Sequence, residues 1–163
     1  MSKLMLAAAV ALLSTASVKA QNTDRETIEG NGKVTTRDVP VSSFDALKAS
    51  GIYELKLSQG DKETVKIEAD ENLQQYFNVH NEGNALVIDM KDLKNKNLKN
   101  KTKMQVYVTF KKLKQLDLST VGSVDAEKAL SFADLEIRNA SVGKVDLNFS
   151  ANTVKLDNKS VGN

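Results

Sequence analysis

The chain has no cysteine and no tryptophan, and among its 163 residues only one histidine, one proline and three arginines. Without cysteine there is no disulfide, no thiol nucleophile and no thiolate metal site, so stability must come from packing and backbone pairing. A single histidine, His80, excludes a multi-histidine metal centre. Ser-His-Asp chemistry would have to use His80, and no glycine-flanked nucleophile turn supports it. His80 precedes an expected turn and reads as a solvated turn residue. Pro40 alone cannot make a proline-rich linker. Aromatic residues are 5% of the chain against 40% hydrophobic residues. Such a core rests mainly on Val, Leu and Ile, which suits thin, layered β structure better than a deep ligand pocket.

Long apolar runs are also missing, with one exception at the start, "MSKLMLAAAVALLSTASVKAQ". Lys3 gives a positive first region and Leu4 to Leu13 an apolar one, and Val18-Lys19-Ala20 precedes the expected cut. About ten apolar residues are too few to cross ~30 Å of hydrocarbon. Residues 1–20 therefore read as a secretory signal peptide and residues 21–163 as one domain. Mass spectrometry of exported protein should find Gln21 as the first residue; an intact Met1 there would defeat this reading. Loss of Lys3 and Lys19 takes the basic count from 23 to 21, level with 21 acidic residues. A neutral mature chain gives no electrostatic case for nucleic acid or an anionic membrane.

The rest alternates with period two. Val34 begins an expected edge strand after the Gly30-Asn31-Gly32 turn. "GIYELKLS" places Tyr53, Leu55 and Leu57 on one face, and "TVKIEA" places Val65 and Ile67 inward. With "SQGDKE" between them, the two runs predict a β-hairpin. Asp70 is expected to cap a helical turn that brings Leu73 and Tyr76 or Phe77 to the core. "NVHNEGNALVIDM" predicts a second hairpin with Leu86, Ile88 and Met90 on one side, and "MQVYVTF" a strand facing inward through Met104, Val106, Val108 and Phe110.

From Leu116 the chain repeats. "LDL", "LEI" and "VKL" begin at Leu116, Leu135 and Val154, evenly spaced. Val-Gly pairs begin at Val121, Val142 and Val161, and here the first interval is the longer by two. Two extra residues in the first connecting turn would reconcile the counts. A unit of about 20 residues cannot bury its own apolar face, so such units stack. The pattern predicts a β-solenoid whose strands pair in parallel one coil later. Gly122, Gly143 and Gly162 would be its tight corners, with Val142 and Val145 buried and Asp146 outside. Asn139 and Asn158 share the spacing of the triplets, and read as a ladder of stacked amides or as ordinary turn residues. The third coil breaks off after Val161. The expectation is a chain incomplete at its C-terminus, or an open strand edge at Val154 and Leu156 that pairs with another chain.

Few residues gather for chemistry. "EADE", Glu68 to Glu71, collects three carboxylates without the spacing of a calcium loop, and reads as a solvated strand end beside a helix cap. "GNG" lacks the helix and lysine of a phosphate loop. Asp117, Asp125, Asp146 and Asp157 could form outward rows for polysaccharide cleavage, but few arginines are available to clamp a substrate carboxylate. The Lys-rich segment 91–114, with Lys91, Lys94, Lys96, Lys99, Lys101, Lys103, Lys111, Lys112 and Lys114, reads as a solvated hairpin tip or defended strand edge. The other reading is a mobile cationic loop that touches anionic glycans. Its run "KDLKNKNLKNKTK", residues 91–103, has no aromatic for base stacking, which argues against nucleic acid.

The stretch "VSSFDALKASGIYELKLSQGDKETVKIEADENLQQYF", then "NALVIDM" and the Val-Gly coils, resembles the head GIN domain of bacterial auto-transporter adhesins. The resemblance runs from about Gly30 to the end of the chain. It rests on Phe44, Ser50-Gly51, the Gln59-Gly60 turn and the glycine-marked repeat. It implies an exported all-β protein whose later part is a right-handed parallel β-helix, with coils of about 20 residues. It carries over no catalytic residue, metal or cofactor. The expected function is a non-enzymatic surface or periplasmic scaffold, a periplasmic, outer-membrane or cell-surface protein whose partners are glycans or other surface components. The alternative is a glycan-active enzyme on the same fold.

Overall fold

The computed structural model describes residues 25–93, 96–99 and 103–161. The signal peptide, its cut after Ala20, and the Gly162 corner lie outside the described residues. What is described is almost all strand. β1 (Glu26–Glu29), β2 (Val34–Val39), β3 (Ala46–Gly51), β4 (Glu54–Gln59) and β5 (Thr64–Asp70) lead to a short 3₁₀ helix, Glu71–Tyr76. β6 (Phe77–Glu82), β7 (Ala85–Met90), β8 (Lys96–Lys99), β9 (Gln105–Phe110) and β10 (Gln115–Thr120) follow. β11 (Val124–Ala126), β12 (Leu130–Asn139), β13 (Val145–Asp146) and β14 (Phe149–Asn158) complete the set.

Two six-stranded sheets hold the core between them. One has the order β14-β12-β10-β3-β7-β6, the other β13-β11-β4-β9-β5-β2. Along β4, β9 and β10 the alternation read from the sequence is the alternation of burial. Tyr53, Leu55, Leu57, Met104, Val106, Val108 and Phe110 all lie inside. Successive passes of the chain run from the first sheet, around a corner, into the second. β3 turns into β4 and β10 into β11, and the two pairs lie side by side in parallel, with Leu47 beside Leu116 and Leu55 beside Val124. β12 and β14 carry the stack onward, also in parallel.

The register follows the Val-Gly marks. Val121 bridges Val142 and Val142 bridges Val161. Leu116 accordingly stands beside Ile137, and not beside Leu135 as the "LDL" and "LEI" triplets implied. The two additional residues lie between β11 and β12, because Asp125 faces Asp146 while Leu130 faces Phe149. The corner glycines have positive φ, +150° at Gly122 and +138° at Gly143. The valine before each is outside: Val121 is 50% exposed, Val142 49% and Val161 71%. This corrects the expectation for Val142. Thr120 and Ser141 are fully buried and linked Oγ1 to Oγ at 3.4 Å, so strand alternation turns the next residue outward. Val145 is half-buried and Asp146 exposed. The amide ladder is present, with Asn139 donating from Nδ2 to Oδ1 of Asn158 at 3.0 Å.

The first predicted hairpin is not one. β4 and β5 share a sheet, but β9 lies between them, parallel to β4 and antiparallel to β5. β9 carries three fully buried side chains, Val106, Val108 and Phe110, and takes the better-covered position. Period-two patterning fixes which face is buried but not which strand is the neighbour. The second hairpin, β6 with β7, stands as read, with Gly83 at φ +61° in its turn. β2 is the edge strand expected from Val34. Leu73 and Phe77 reach the core, but Asp70 makes no side-chain capping bond to the helix. Gly30 packs against its carboxylate instead.

The two ends of the stack differ. At one, the small parallel sheet of β1 and β8 and the 3₁₀ helix bring in Ile28 and Leu73, both buried. At the other, β14 leaves Val154 48% and Leu156 61% exposed.

Candidate binding surface

The outer faces of the two sheets carry alternating charge. On the first, neighbouring strands place Lys48, Asp117, Arg138 and Asp157 in one row. Arg138 lies 3.6 Å from Asp117 and 2.8 Å from Glu136, and Lys155 lies 3.0 Å from Glu136. Lys155 above all, with Arg138, holds the Glu136 carboxyl below its usual range. On the second sheet, Lys66 sits 4.3 Å over the ring of Tyr107, and Lys56 reaches Asp125 at 2.8 Å. Asp125 raises the Lys56 ammonium, while Lys103 and Gln105 lower Glu54. Lys144 holds Asp146 at 2.6 Å.

The four aspartates proposed as outward rows are thus divided, Asp117 and Asp157 on one sheet and Asp125 and Asp146 on the other. Asp117, Asp125 and Asp146 each lie against a cation on their own sheet, and Asp157 lies 3.3 Å from Lys159. Asp117 and Asp157 line one pocket of about 290 Å³ together with Arg138 and Lys159, and Asp125 and Asp146 are not part of it. Among the described residues, no group of three or more His, Asp or Glu side chains is placed to hold a metal. His80 is exposed on the edge strand β6 rather than in a turn, 3.4 Å from Asn78. In the acidic cluster, Asp70 is buried while Glu71 points out to Lys33 at 3.0 Å.

Among the described residues of the Lys-rich segment, Lys96–Lys99 form β8, paired with β1 in a two-stranded sheet, which is the strand-edge reading rather than the hairpin tip. Lys96 pairs with Glu26 at 3.2 Å, Lys103 with Glu54 at 2.9 Å, Lys111 with Glu63 at 3.6 Å and Lys114 with Asp45 at 2.9 Å. Lys94 and Lys101 lie outside the described residues. Much of the apparent cationic charge is therefore matched locally, because the sheets bring distant acids to it.

Concave surface also lies at the corner around Gln59. A cleft of about 510 Å³ is lined by Gln59, Lys112, Lys114, Ser131, Asp134 and Asn152, among others, and a second of about 550 Å³ adjoins it at Gln59 and Lys111. Gln59 ties this corner together. Its amide donates to the carbonyls of Lys111 and Ser131 and accepts from the Ser131 amide. Sequence reading missed this role, since Gln59 and Ser131 are 72 residues apart. It also missed an exposed aliphatic row, Ile52, Val121, Val142 and Val161, along the glycine corner. The recurrence of Val before Gly was its visible signal.

Residues 43–163 match the family described as "Putative auto-transporter adhesin, head GIN domain". The chain belongs to this family. The head GIN domain is similar in fold to a "putative adhesin" from Bacteroides fragilis, with TM-score 0.76 and 24% identity over 83% of this chain and 62% of that one. It thus spans 62% of the length of that protein. It is similar to a "putative lipid binding protein" from Parabacteroides distasonis, with TM-score 0.62 and 24% identity over 84% of this chain and 70% of that one. A "putative adhesin" from Parabacteroides merdae gives TM-score 0.57 and 25% identity over 81% and 61%. No curated relative matches the chain.

Proposed function

We propose that this head GIN domain is an exported, non-enzymatic adhesion module, displayed in the periplasm, at the outer membrane or on the cell surface. Its stacked passes form a right-handed parallel β-helix with coils of about 20 residues, and its outer faces are the binding surface. The supporting observation is the division of Asp117, Asp125, Asp146 and Asp157 between two faces, each beside a cation. Glycoside hydrolysis needs two carboxyl groups flanking one bond, about 5–9.5 Å apart and differently protonated. A field of alternating charges instead suits multivalent contact with a polar surface such as glycan, where each contact is weak and repetition supplies strength. Family membership and the adhesin-named structures agree with this reading. The parallel pairing of each pass with the next, from β10 to β12 to β14, supports the β-helix.

Binding of the purified chain to a glycan array and to whole cells tests it. The expected result is saturable, salt-sensitive binding with the glycan recovered intact. Replacing Lys48 and Arg138 together by Glu should weaken binding about tenfold by reversing charge on one face. Release of shortened glycan would overturn the reading in favour of the enzyme, and binding untouched by this double change would exclude the first sheet's face.

A further inference from the structure

We propose that the corner cleft around Gln59 binds an acidic oligosaccharide, with its anionic group against Lys112 and the hydroxyls of the next sugar against Asp61, Glu127 and Lys128. The cleft exists because neighbouring passes separate there. β4 and β11 are paired as far as Leu57 and Ala126. β10 and β12 are paired from Gln115 and Glu136 onward. Between these two ladders, residues 58–60 and 111–114 form one wall and residues 127–134 the other, and among the described residues no strand pairing joins them. The side-chain amide of Gln59 spans the gap in place of a peptide group, bonded to Lys111 on one side and to Ser131 on the other. It fixes the spacing of the walls. The second wall also departs from the repeat. Four residues separate Asp125 from Leu130, where two separate Asp146 from Phe149 one pass later. The added length carries Glu127 and Lys128 to the cleft.

Charge divides the cleft into two unlike lobes. The lobe of about 510 Å³ sets Lys111, Lys112 and Lys114 against one carboxylate, Asp134. Lys114 already holds Asp45 and Lys111 holds Glu63, whereas Lys112 has no acid at ion-pair distance among the described residues. This lobe takes the anionic group, to which the Lys112 ammonium offers several donors. The lobe of about 550 Å³ shares Gln59 and Lys111 with the first and adds Asp61, Glu127 and Lys128. Its two carboxylates repel a second anion but accept hydrogen bonds from sugar hydroxyls. Lys128, also without an acid partner among the described residues, donates to the same hydroxyls. Both volumes fall within the ~300–1,000 Å³ of small-ligand sites. An anion in one lobe and hydroxyls in the next describe an acidic sugar joined to a neutral one. A dense polyanion would set its second charge against Asp61 and Glu127.

The proposal rests on glycan binding as the function of the chain, but not on the outer faces as its surface. Calorimetric titration of the full chain tests it with a tetrasaccharide that alternates glucuronic acid with N-acetylglucosamine, with a sulfated form of it, and with its carboxyl-reduced form. One or both acidic fragments should bind, and the carboxyl-reduced fragment should bind about tenfold more weakly or not at all. Lys112→Glu should weaken binding of the acidic fragments about tenfold and flatten its salt dependence. Lys33→Glu makes the same change of charge beside the 3₁₀ helix, at the other end of the stack. It should change affinity by less than about twofold, since exposed charges more than about 8 Å apart are largely screened. Lys112 and Lys33 are both exposed, so both variants should fold, which circular dichroism checks. Binding of neither acidic fragment, equal binding of the carboxyl-reduced one, or an equal loss from Lys33→Glu would overturn the site. Acidic fragments that bind undiminished to Lys112→Glu would overturn the cleft while leaving the outer faces as the glycan surface.

Discussion

Gly122→Val should abolish folding or cost about 3 kcal/mol or more, read as a lowered urea midpoint. Gly122 has φ +150°, which a β-branched residue adopts only with strain. A Cβ there would also lie 2.4 Å from the carbonyl oxygen of Tyr53. That oxygen is backbone and sits in the neighbouring pass, so it cannot swing aside as a flexible side chain would. Gly143 repeats the arrangement one pass later, where a Cβ would meet the carbonyl oxygen of Gly122 at 2.5 Å. Gly83 supplies the control. Its φ is +61°, but nothing lies within 4 Å of its missing Cβ. Gly83→Ala should cost only about 1–2 kcal/mol, the backbone term alone. If Gly122→Val and Gly83→Ala shift the midpoint equally, close approach of successive passes at the corner is refuted.

Phe110→Ala should cost about 3–5 kcal/mol, the range for emptying a fully buried aromatic site. Phe110 is the first of a file of rings that runs through three successive passes. Its ring stacks on Phe132 at 5.8 Å, and Phe132 meets Phe149 edge-on at 5.7 Å. Burial falls along the file: Phe110 has no exposure, Phe132 8%, and Phe149 is half-buried. The cost of truncation should fall in the same order, Phe110→Ala above Phe132→Ala above Phe149→Ala, because fewer surrounding atoms lose contact. Urea denaturation of the three variants measures it. Equal losses at Phe110 and Phe149 would mean that the surroundings of Phe149 are as well packed as those of Phe110.

These two sites mark what local pattern could and could not convey. The corner glycines were legible because a bend without room for a side chain recurs at a near-constant interval. The inward faces of β4, β7 and β9 were legible for a similar reason, since alternation follows from strand geometry alone. The aromatic file was not. Low aromatic content pointed to a core of Val, Leu and Ile, yet the stack brings Phe110, Phe132 and Phe149 into line from well-separated, unevenly spaced places in the sequence. Lys155, Glu136 and Arg138 show the same limit at the surface. Each is an ordinary charged residue until the pairing of β12 with β14 sets Lys155 beside Glu136.

By itself the sequence determined the class of fold, the outward and inward faces of most strands, the glycine corners and the resemblance that the family match confirms, and it offered the Asn139–Asn158 ladder as one of two readings. All of these depend on period, spacing or motif, which are properties of neighbouring residues or of a regular repeat. Tertiary structure alone decided that β9 divides β4 from β5, that Leu116 faces Ile137, that the valines before the glycines point outward, and that the Lys-rich segment is partly held as a strand against β1. Each of these is a choice among partners that fit the local pattern equally well. The choice is made by burial and charge across the whole stack: β9 goes where Val106, Val108 and Phe110 are best covered, and Lys96 and Lys103 go where Glu26 and Glu54 await them.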